Sequence, residues 1–378
     1  MTDGRARIRV LHLIKCLGFG GAERLLVSVS EARDRESFDY EVAYVLGDLD
    51  DLVAELEAVD VRVHSLRSRS HYDLGWLVRL RRLLLERHYD VVHLHLPYSA
   101  AFGRLVVRSL PRSSRPLLVY TQHNLWHKTE PAVRLLNRLT IDLDDHDIAV
   151  SEVARASMPP SLRQRVDVIV HGIPAVGTDG AERIAVRREL GVGEGELAIM
   201  TVANFRAEKG YPILLEAAAA LVGEGLPVRF FAVGAGPLEP EVRRLCAELG
   251  LEDHFRLLGF RPDVLRLLSA ADLFVLASLH EAFPVSVMEA LASGVPVVAT
   301  DVGAVREAVG QGAAGITVPA GDAAALAGAL RALASDGERR RDLQAHARDL
   351  GARYDVRSAA GQLEDLYARL MGRRAVVA

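Results

Sequence analysis

Short runs of branched apolar residues alternate with longer amphipathic segments from one end of the chain to the other, the rhythm of β-α-β units wound into parallel sheets. Strands are predicted at Ile8 to Ile14, Tyr40 to Val45, Val61 to His64, Val91 to Leu94, Leu117 to Thr121, Ile148 to Ser151 and Val166 to Val170. A second series follows at Ala198 to Val202, Val228 to Val233, Phe255 to Leu258, Leu273 to Leu276, Val295 to Ala299 and Ile316 to Val318. Between the two series, the stretch HGIPAVGTDG from His171 to Gly180 has no periodicity and is rich in Gly and Pro, so it reads as a linker. From Asp322 onward the pattern is helical throughout. The expected fold class is α/β, with two Rossmann-like doubly wound domains and C-terminal helices. The boundaries fall at 1–172 for the first domain, 173–181 for the linker, 182–354 for the second domain, and 355–378 for a helix returning towards the first. Two such domains leave a cleft between the carboxyl edges of their sheets, where open α/β sheets bind ligands, so functional residues belong in loops that follow strands.

A length of 378 residues supports two domains, and 50% hydrophobic with 25% charged residues excludes a disordered or fibrous chain. A net charge of −4 gives no global field for a phosphate backbone, which argues against nucleic acid as a partner. Cys16 and Cys246 are far apart, with no Cys or His near either at metal-ligand spacing; neither a disulfide scaffold nor a zinc site is expected, and a reducing cytoplasm is the natural compartment. No apolar run approaches the ~20 residues that span a bilayer, and the start of the chain reads as the first strand, without the h-region of a signal peptide. From Arg62 to Arg115, eleven arginines face three acids. The amphipathic stretch Trp76 to Leu84 inside this segment has two readings, a solvated crossover helix or a peripheral contact with the anionic inner face of a membrane. The use of 43 arginines against three lysines points to a GC-rich bacterial genome.

Three motifs carry chemistry. After the first strand, Gly18, Gly20 and Gly21 precede a helix whose exposed amides and positive dipole end suit an anion. Glu23 stands where the dinucleotide fingerprint needs a third glycine, which weakens a nicotinamide or flavin reading. A tight turn selected for packing alone is the alternative. After the first strand of the second domain, Arg206 and Lys209 place two cations three residues apart at a helix start, a geometry that clamps a diphosphate. Finally, Glu281 and Glu289 flank Phe283, Pro284, Val285 and Ser286. Pro284 suits a first helical turn, the amides of Val285 to Val287 suit an anion, and the two carboxylates accept hydrogen bonds from a polyol, so sugar plus phosphate is the implied ligand. Histidines cluster as well, with His93 and His95 ending one strand and His123 following another. Satisfied core histidines are the plainer reading of the first two.

Gly20-Gly21-Ala22-Glu23, Arg206-x-x-Lys209-Gly210 and Glu281-x7-Glu289, followed by Gly294-Val295-Pro296, resemble the family 4 glycosyltransferases over nearly the whole chain. The resemblance implies the GT-B architecture and retaining, metal-independent transfer from a nucleoside diphosphate sugar, with no cofactor. It implies that Arg206 and Lys209 neutralise the diphosphate, that Glu289 binds the ribose and Glu281 the sugar hydroxyls, and that Gly20 and Gly21 approach the same groups. His123 resembles the family histidine beside the reacting centre, and Lys15, His95, Asn124 and Trp126 are acceptor-side candidates. Uridine diphosphate sugars are the favoured donors, with N-acetylhexosamine preferred and guanosine diphosphate donors open. The acceptor is a saccharide, a lipid-linked saccharide or a small molecule. A hydrolysing nucleotide-sugar epimerase, a pyridoxal-containing phosphorylase and a non-catalytic sugar-nucleotide sensor are the competing functions. Two departures stand out from the family pattern: Pro284 replaces a glycine of the sugar loop, and His171-Gly172 replaces an Asn-Gly turn.

Overall fold

The structure is a computed structural model describing residues 7–70, 72–174 and 180–377. Residues 175–179 of the expected linker and residues 1–6 at the chain start lie outside the described residues. The chain divides into two compact units, Met1–Pro174 with Val356–Ala378, and Ala175–Asp355.

Among the described residues, the first unit holds a seven-stranded sheet of β1 (Ile8–Ile14), β2 (Phe38–Leu46), β3 (Arg62–Ser68), β4 (Val91–His95), β5 (Leu117–Gln122), β6 (His146–Ala149) and β7 (Val166–Val168). Its order is β3-β2-β1-β4-β5-β6-β7, with parallel pairing throughout. The second unit holds β8 (Leu197–Val202), β9 (Val228–Val233), β10 (Phe255–Gly259), β11 (Leu273–Leu276), β12 (Val297–Thr300) and β13 (Gly315–Val318), ordered β10-β9-β8-β11-β12-β13 and again parallel. Each sheet therefore reverses its winding once, between β1 and β4 in the first and between β8 and β11 in the second. Loops leaving the carboxyl ends at such switch points are where an open α/β sheet gathers its polar groups.

Several strand limits differ from the predicted ones, β3 running on to Ser68 and β7 stopping at Val168, and two of the shifts have identifiable reasons. β6 was expected to run to Ser151 but ends at Ala149, because Ser151 caps the helix Glu152–Ser157 by accepting from the Ala154 amide at 3.0 Å. β12 begins two residues later than expected. Gly294, left-handed at φ +70°, ends the preceding helix, and the Val295 amide is drawn back to the Ala290 carbonyl.

The second unit's core is almost wholly apolar, with Phe230, Phe231, Phe274 and the strand valines at its centre. The first unit adds the helix Val356–Val377, which lays Val356, Ala360, Leu363, Leu366 and Tyr367 against Phe38 and Tyr40. It also buries polar groups. Arg104, fully enclosed, pairs with Asp144 at 2.7 Å, bonds Asn137, and lies 4.6 Å over the Tyr120 ring. An enclosed guanidinium is tolerable only with such partners, because a lone buried charge costs several kcal/mol.

Candidate active site

In the second unit the chain leaves β8 into a short turn, Ala207–Lys209, capped by Gly210 at φ +63°. A Cβ on Gly210 would overlap the Ala277 carbonyl oxygen just beyond β11, so only glycine lets the turn lie this close. Neighbouring strands thus bring neighbouring loops together. Lys209 Nζ meets Glu281 Oε1 at 2.6 Å, and Ser278 Oγ donates to the same oxygen at 2.7 Å. Both charged side chains are largely buried, 23% and 11% exposed, so the pair is screened less than a surface pair. The end of β12 and the loop after it hold the same loop in place. Thr300 Oγ1 donates to the Ser278 carbonyl at 2.5 Å, the Ala304 amide donates to the Ala282 carbonyl, and Gly303, at φ +55°, lies where any Cβ would overlap the Glu281 carbonyl oxygen.

Other predicted residues take places that sharpen or correct the expectation. Arg206 is exposed, flanks the same turn as its N-cap, and makes no side-chain ion pair among the described residues. Pro284 is the N-cap of the helix Val285–Ala292, one position before the first turn. Its carbonyl accepts from the Val287 amide at 3.1 Å, so of the three amides expected to meet an anion, Val287 is spent inside the helix and Val285 and Ser286 remain. Glu289 is half-buried at the fifth position of that helix, and Phe283 sets its ring edge against Tyr354 at 5.8 Å.

In the first unit, Gly20 caps the helix Gly21–Ala32, and its own amide is used within the turn, donating to Gly18 at 2.9 Å. Glu23, at the third helical position and buried, folds its carboxylate back over Gly20, where a side chain would displace it. An acid at a helix start is favourable, so the loop expected as a bare anion cradle carries its own carboxylate, with Gly21 the exposed member. Burial, and then the Glu23 charge, push the Cys16 thiol up to about 11. Lys15 is half-buried and its carbonyl holds the Val45 and Leu46 amides; Asn124 is exposed and accepts from Gln122 Nε2 at 2.5 Å; Trp126 is buried.

The histidines form a larger group than the sequence reading recognised. His95 Nε2 lies 3.0 Å from His12 Nδ1, and His95 Nδ1 lies 3.0 Å from His123 Nε2. His171 stacks on His123 with centroids 5.1 Å apart and planes within 10°. His93 stands beside this chain, its Nδ1 bonded to the Tyr367 hydroxyl at 2.6 Å and its Nε2 to Thr121 Oγ1 at 2.7 Å. His12, His93 and His95 bring nitrogens within 4.8 Å of one another. They do not converge as a ligand set: both His93 nitrogens are occupied, and the other two rings point at each other along a hydrogen bond. Burial holds all five histidines neutral, with His12 pushed down to about 3, His171 to about 4, and His93, His95 and His123 well below the ordinary range.

The basic segment divides. Arg104 is buried, Arg87 pairs with Glu41, and Arg79, Arg108 and Arg115 bond backbone carbonyls, while Arg69, Arg81 and Arg82 stay exposed. Trp76, Leu80 and Leu84 turn the apolar stripe of the helix Gly75–Arg87 inward. Among the described residues, no helix is long and apolar enough to cross a membrane.

Residues 182–350 match the model of glycosyl transferases group 1, and residues 19–175 match that of glycosyltransferase family 4. A D-inositol 3-phosphate glycosyltransferase of Corynebacterium urealyticum is 32% identical over 75% of this chain and 72% of its own length. The chain belongs to the family 4 glycosyltransferases. The motif residues Arg206, Lys209, Glu281 and Glu289 of this glycosyltransferase fall in the first matched span, and Gly20, Gly21 and His123 in the second. An N-acetyl-alpha-D-glucosaminyl L-malate synthase of Bacillus anthracis is 26% identical to the enzyme over 77% of each chain. Anabaena HepE, solved in complex with UDP and glucose, superposes with a TM-score of 0.83 at 22% identity, covering 96% of the glycosyltransferase and 100% of HepE. The two parallel sheets are those of the GT-B fold.

Proposed function

We propose that this enzyme is a retaining, metal-independent glycosyltransferase that moves a sugar, preferentially an N-acetylhexosamine, from a uridine diphosphate donor to an acceptor hydroxyl. The observation that carries the reading is the bonded group Lys209–Glu281–Ser278 at the switch point of the second sheet. It joins a cation suited to a diphosphate to a carboxylate suited to sugar hydroxyls, and each fixes the other's position. HepE binds UDP and glucose, and the name of the Bacillus anthracis relative contains N-acetylglucosaminyl; both support the donor class.

In this reading the second unit, 182–354, takes the nucleotide sugar. Glu289 holds the ribose, Glu281 the sugar, and Phe283, Pro284, Val285 and Ser286 line the donor. As the bond to phosphate breaks, charge grows on the diphosphate, and Arg206 and Lys209 stabilise that charge more than the ground state. The first unit, 1–172 with the helix at 355–378, serves the acceptor through Lys15, Asn124 and Trp126, with His123 and the Gly20-Gly21 turn at the reacting sugar. The departing phosphate oxygen takes the acceptor proton on the face it leaves, which retains configuration. Arg69, Arg81 and Arg82 would bring the first unit to an anionic membrane bearing a lipid-linked acceptor.

The test is a panel of UDP- and GDP-sugars, scored by thermal shift and then by mass-spectrometric product analysis with an acceptor mixture. Binding raises apparent stability by mass action. The expected result is stabilisation by UDP-N-acetylhexosamine and α-linked product without added metal. Conversion of donor in the absence of any acceptor would make the enzyme an epimerase, and donor binding with no turnover would make it a sensor.

A further inference from the structure

The second unit holds a ligand-sized cavity of about 410 Å³ that the proposed function leaves unused. It lies at the amino edge of the sheet, where Asp272 immediately precedes β11 and Gly294 and Val295 precede β12. Lys209 and Glu281 follow the carboxyl ends of β8 and β11. The length of β11, at about 3.3 Å per residue, therefore separates the two places.

Four arginines and one acid line this cavity. Arg183 Nη2 meets Asp272 Oδ1 at 2.6 Å, while Arg187, outside the lining, takes the other oxygen at 2.8 Å. The one carboxylate is thus shared by two cations before Arg340, Arg341 and Arg348 are counted. Arg340 is anchored by the last carbonyls of the helix Ala323–Ser335, its Nη1 donating to Leu333 at 2.5 Å and to Ala334 at 2.8 Å. Arg348 runs along Gly294 so closely that a Cβ there would come within 2.8 Å of its Cγ. Among the described residues, Arg340, Arg341 and Arg348 make no ion pair.

The helix Gly337–Gly351 sorts its charges by face. Gly337, Arg340, Arg341, Gln344 and Arg348 recur at steps that keep them on one stripe, and that stripe lines the cavity. Leu343 and Ala347 make the buried stripe. All three acids of the helix, Glu338, Asp342 and Asp349, share a third, exposed stripe about 120° from the arginines at 100° per residue. A solvated helix gains from acids and bases paired three or four residues apart, yet Glu338 stands three residues before Arg341 and does not pair with it. Uncompensated guanidinium groups facing one concavity suit an anion, and their forks match phosphoryl oxygens two at a time. Seven residues, about 10.5 Å of helix, lie between Arg341 and Arg348, a span for two phosphoryl groups rather than one.

We propose that this cavity is a binding site for a soluble small molecule carrying at least two phosphoryl groups. Arg341 and Arg348 grip the ligand, and Arg183 and Arg340, tethered to backbone carbonyls, supply fixed charge beside them. The site shares no residue with the donor site of the proposed function and does not rest on that reading.

The measurement is calorimetric titration of the full chain with inorganic tripolyphosphate at pH 7 and low salt. Since Arg206 and Lys209 also suit this anion, the titration is run on Arg206→Gln/Lys209→Gln. One tripolyphosphate per chain is expected to bind, at least tenfold more tightly than inorganic monophosphate. Adding Arg341→Gln/Arg348→Gln should weaken it tenfold or more. Adding Arg339→Gln/Arg353→Gln instead removes the same charge from outside the cavity and should change affinity less than twofold. All four of these arginines are exposed, so the fold should survive, as a melting curve will check. Absence of binding, or equal weakening by both pairs, overturns the proposal. Vesicles of phosphatidylglycerol form the second arm: binding to them through Arg341 and Arg348, with none to tripolyphosphate, would make this a membrane contact and overturn the small-molecule site. If tripolyphosphate binds as stated yet wild type turns over no UDP-sugar, the proposed function fails while this site stands.

Discussion

At the switch point of the second sheet, Lys209 and Glu281 meet as full charges 2.6 Å apart; at that of the first, His12, His95 and His123 meet as neutral rings at 3.0 Å. The second unit surrounds an apolar core with charges at its rim, whereas the first carries its polar chain into the centre of the sheet. A charged pair acts where charge develops, and its worth depends on the low-dielectric pocket around it. A neutral chain transmits only which nitrogen bears a proton. The two halves therefore fail under different insults.

Acid separates them most sharply. All five buried histidines have folded-state values depressed from the ordinary 6.5, His12 to about 3 and His171 to about 4. Above pH 6.5 both folded and unfolded states are neutral, and stability is intact. As pH falls from 6.5 towards 4, the unfolded chain takes up protons that the folded unit refuses, and each histidine removes about 1.4 kcal/mol of stability per pH unit. The chain's two tryptophans, Trp76 and Trp126, both belong to the first unit. Their fluorescence should report unfolding near pH 5 while much of the far-ultraviolet helical signal survives. Simultaneous loss of both signals would break the comparison.

Removing charge from the other half should spare its fold and cost its chemistry. Lys209→Ala is expected to lower turnover about 10²- to 10³-fold, the scale of one lost transition-state contact, in a steady-state UDP-release assay with unchanged circular dichroism. A smaller, mixed effect is expected from Gly303→Val, which forces the backbone off the Glu281 carbonyl at a positive φ. Melting should show a loss of about 2–4 kcal/mol, accompanied by weaker donor binding. Smallest is His93→Phe, which leaves the Tyr367 and Thr121 hydroxyls unpartnered inside the first sheet. Denaturant titration should find about 1–3 kcal/mol lost, with donor KM unaltered.

Much of the fold was legible because parallel strands buried on both faces spell themselves as branched apolar runs. β1, β9 and β11 fall on their predicted limits, and a serine cap and a left-handed glycine claim the end of β6 and the start of β12. Lys209 and Glu281 were each visible, but their bond was not, since it depends on β8 lying beside β11, a fact of strand order. Gly303 and the bond made by Thr300 were not foreseen because both act on carbonyls of another loop. His12 was hidden inside an apolar strand. The available sign was His93 and His95 two residues apart, hence on one face, which called for a polar neighbour across the sheet.

The Tyr367 hydroxyl on His93 sets a timetable for biosynthesis. Strands β1 to β7 leave the ribosome first, yet the helix that covers them is made only after the entire second unit. Domains tend to fold as they emerge, N-terminal first; here the later-made half can be finished while the earlier one still waits for its last piece. Until then Phe38 and Tyr40 lack the apolar face that this helix lays against them.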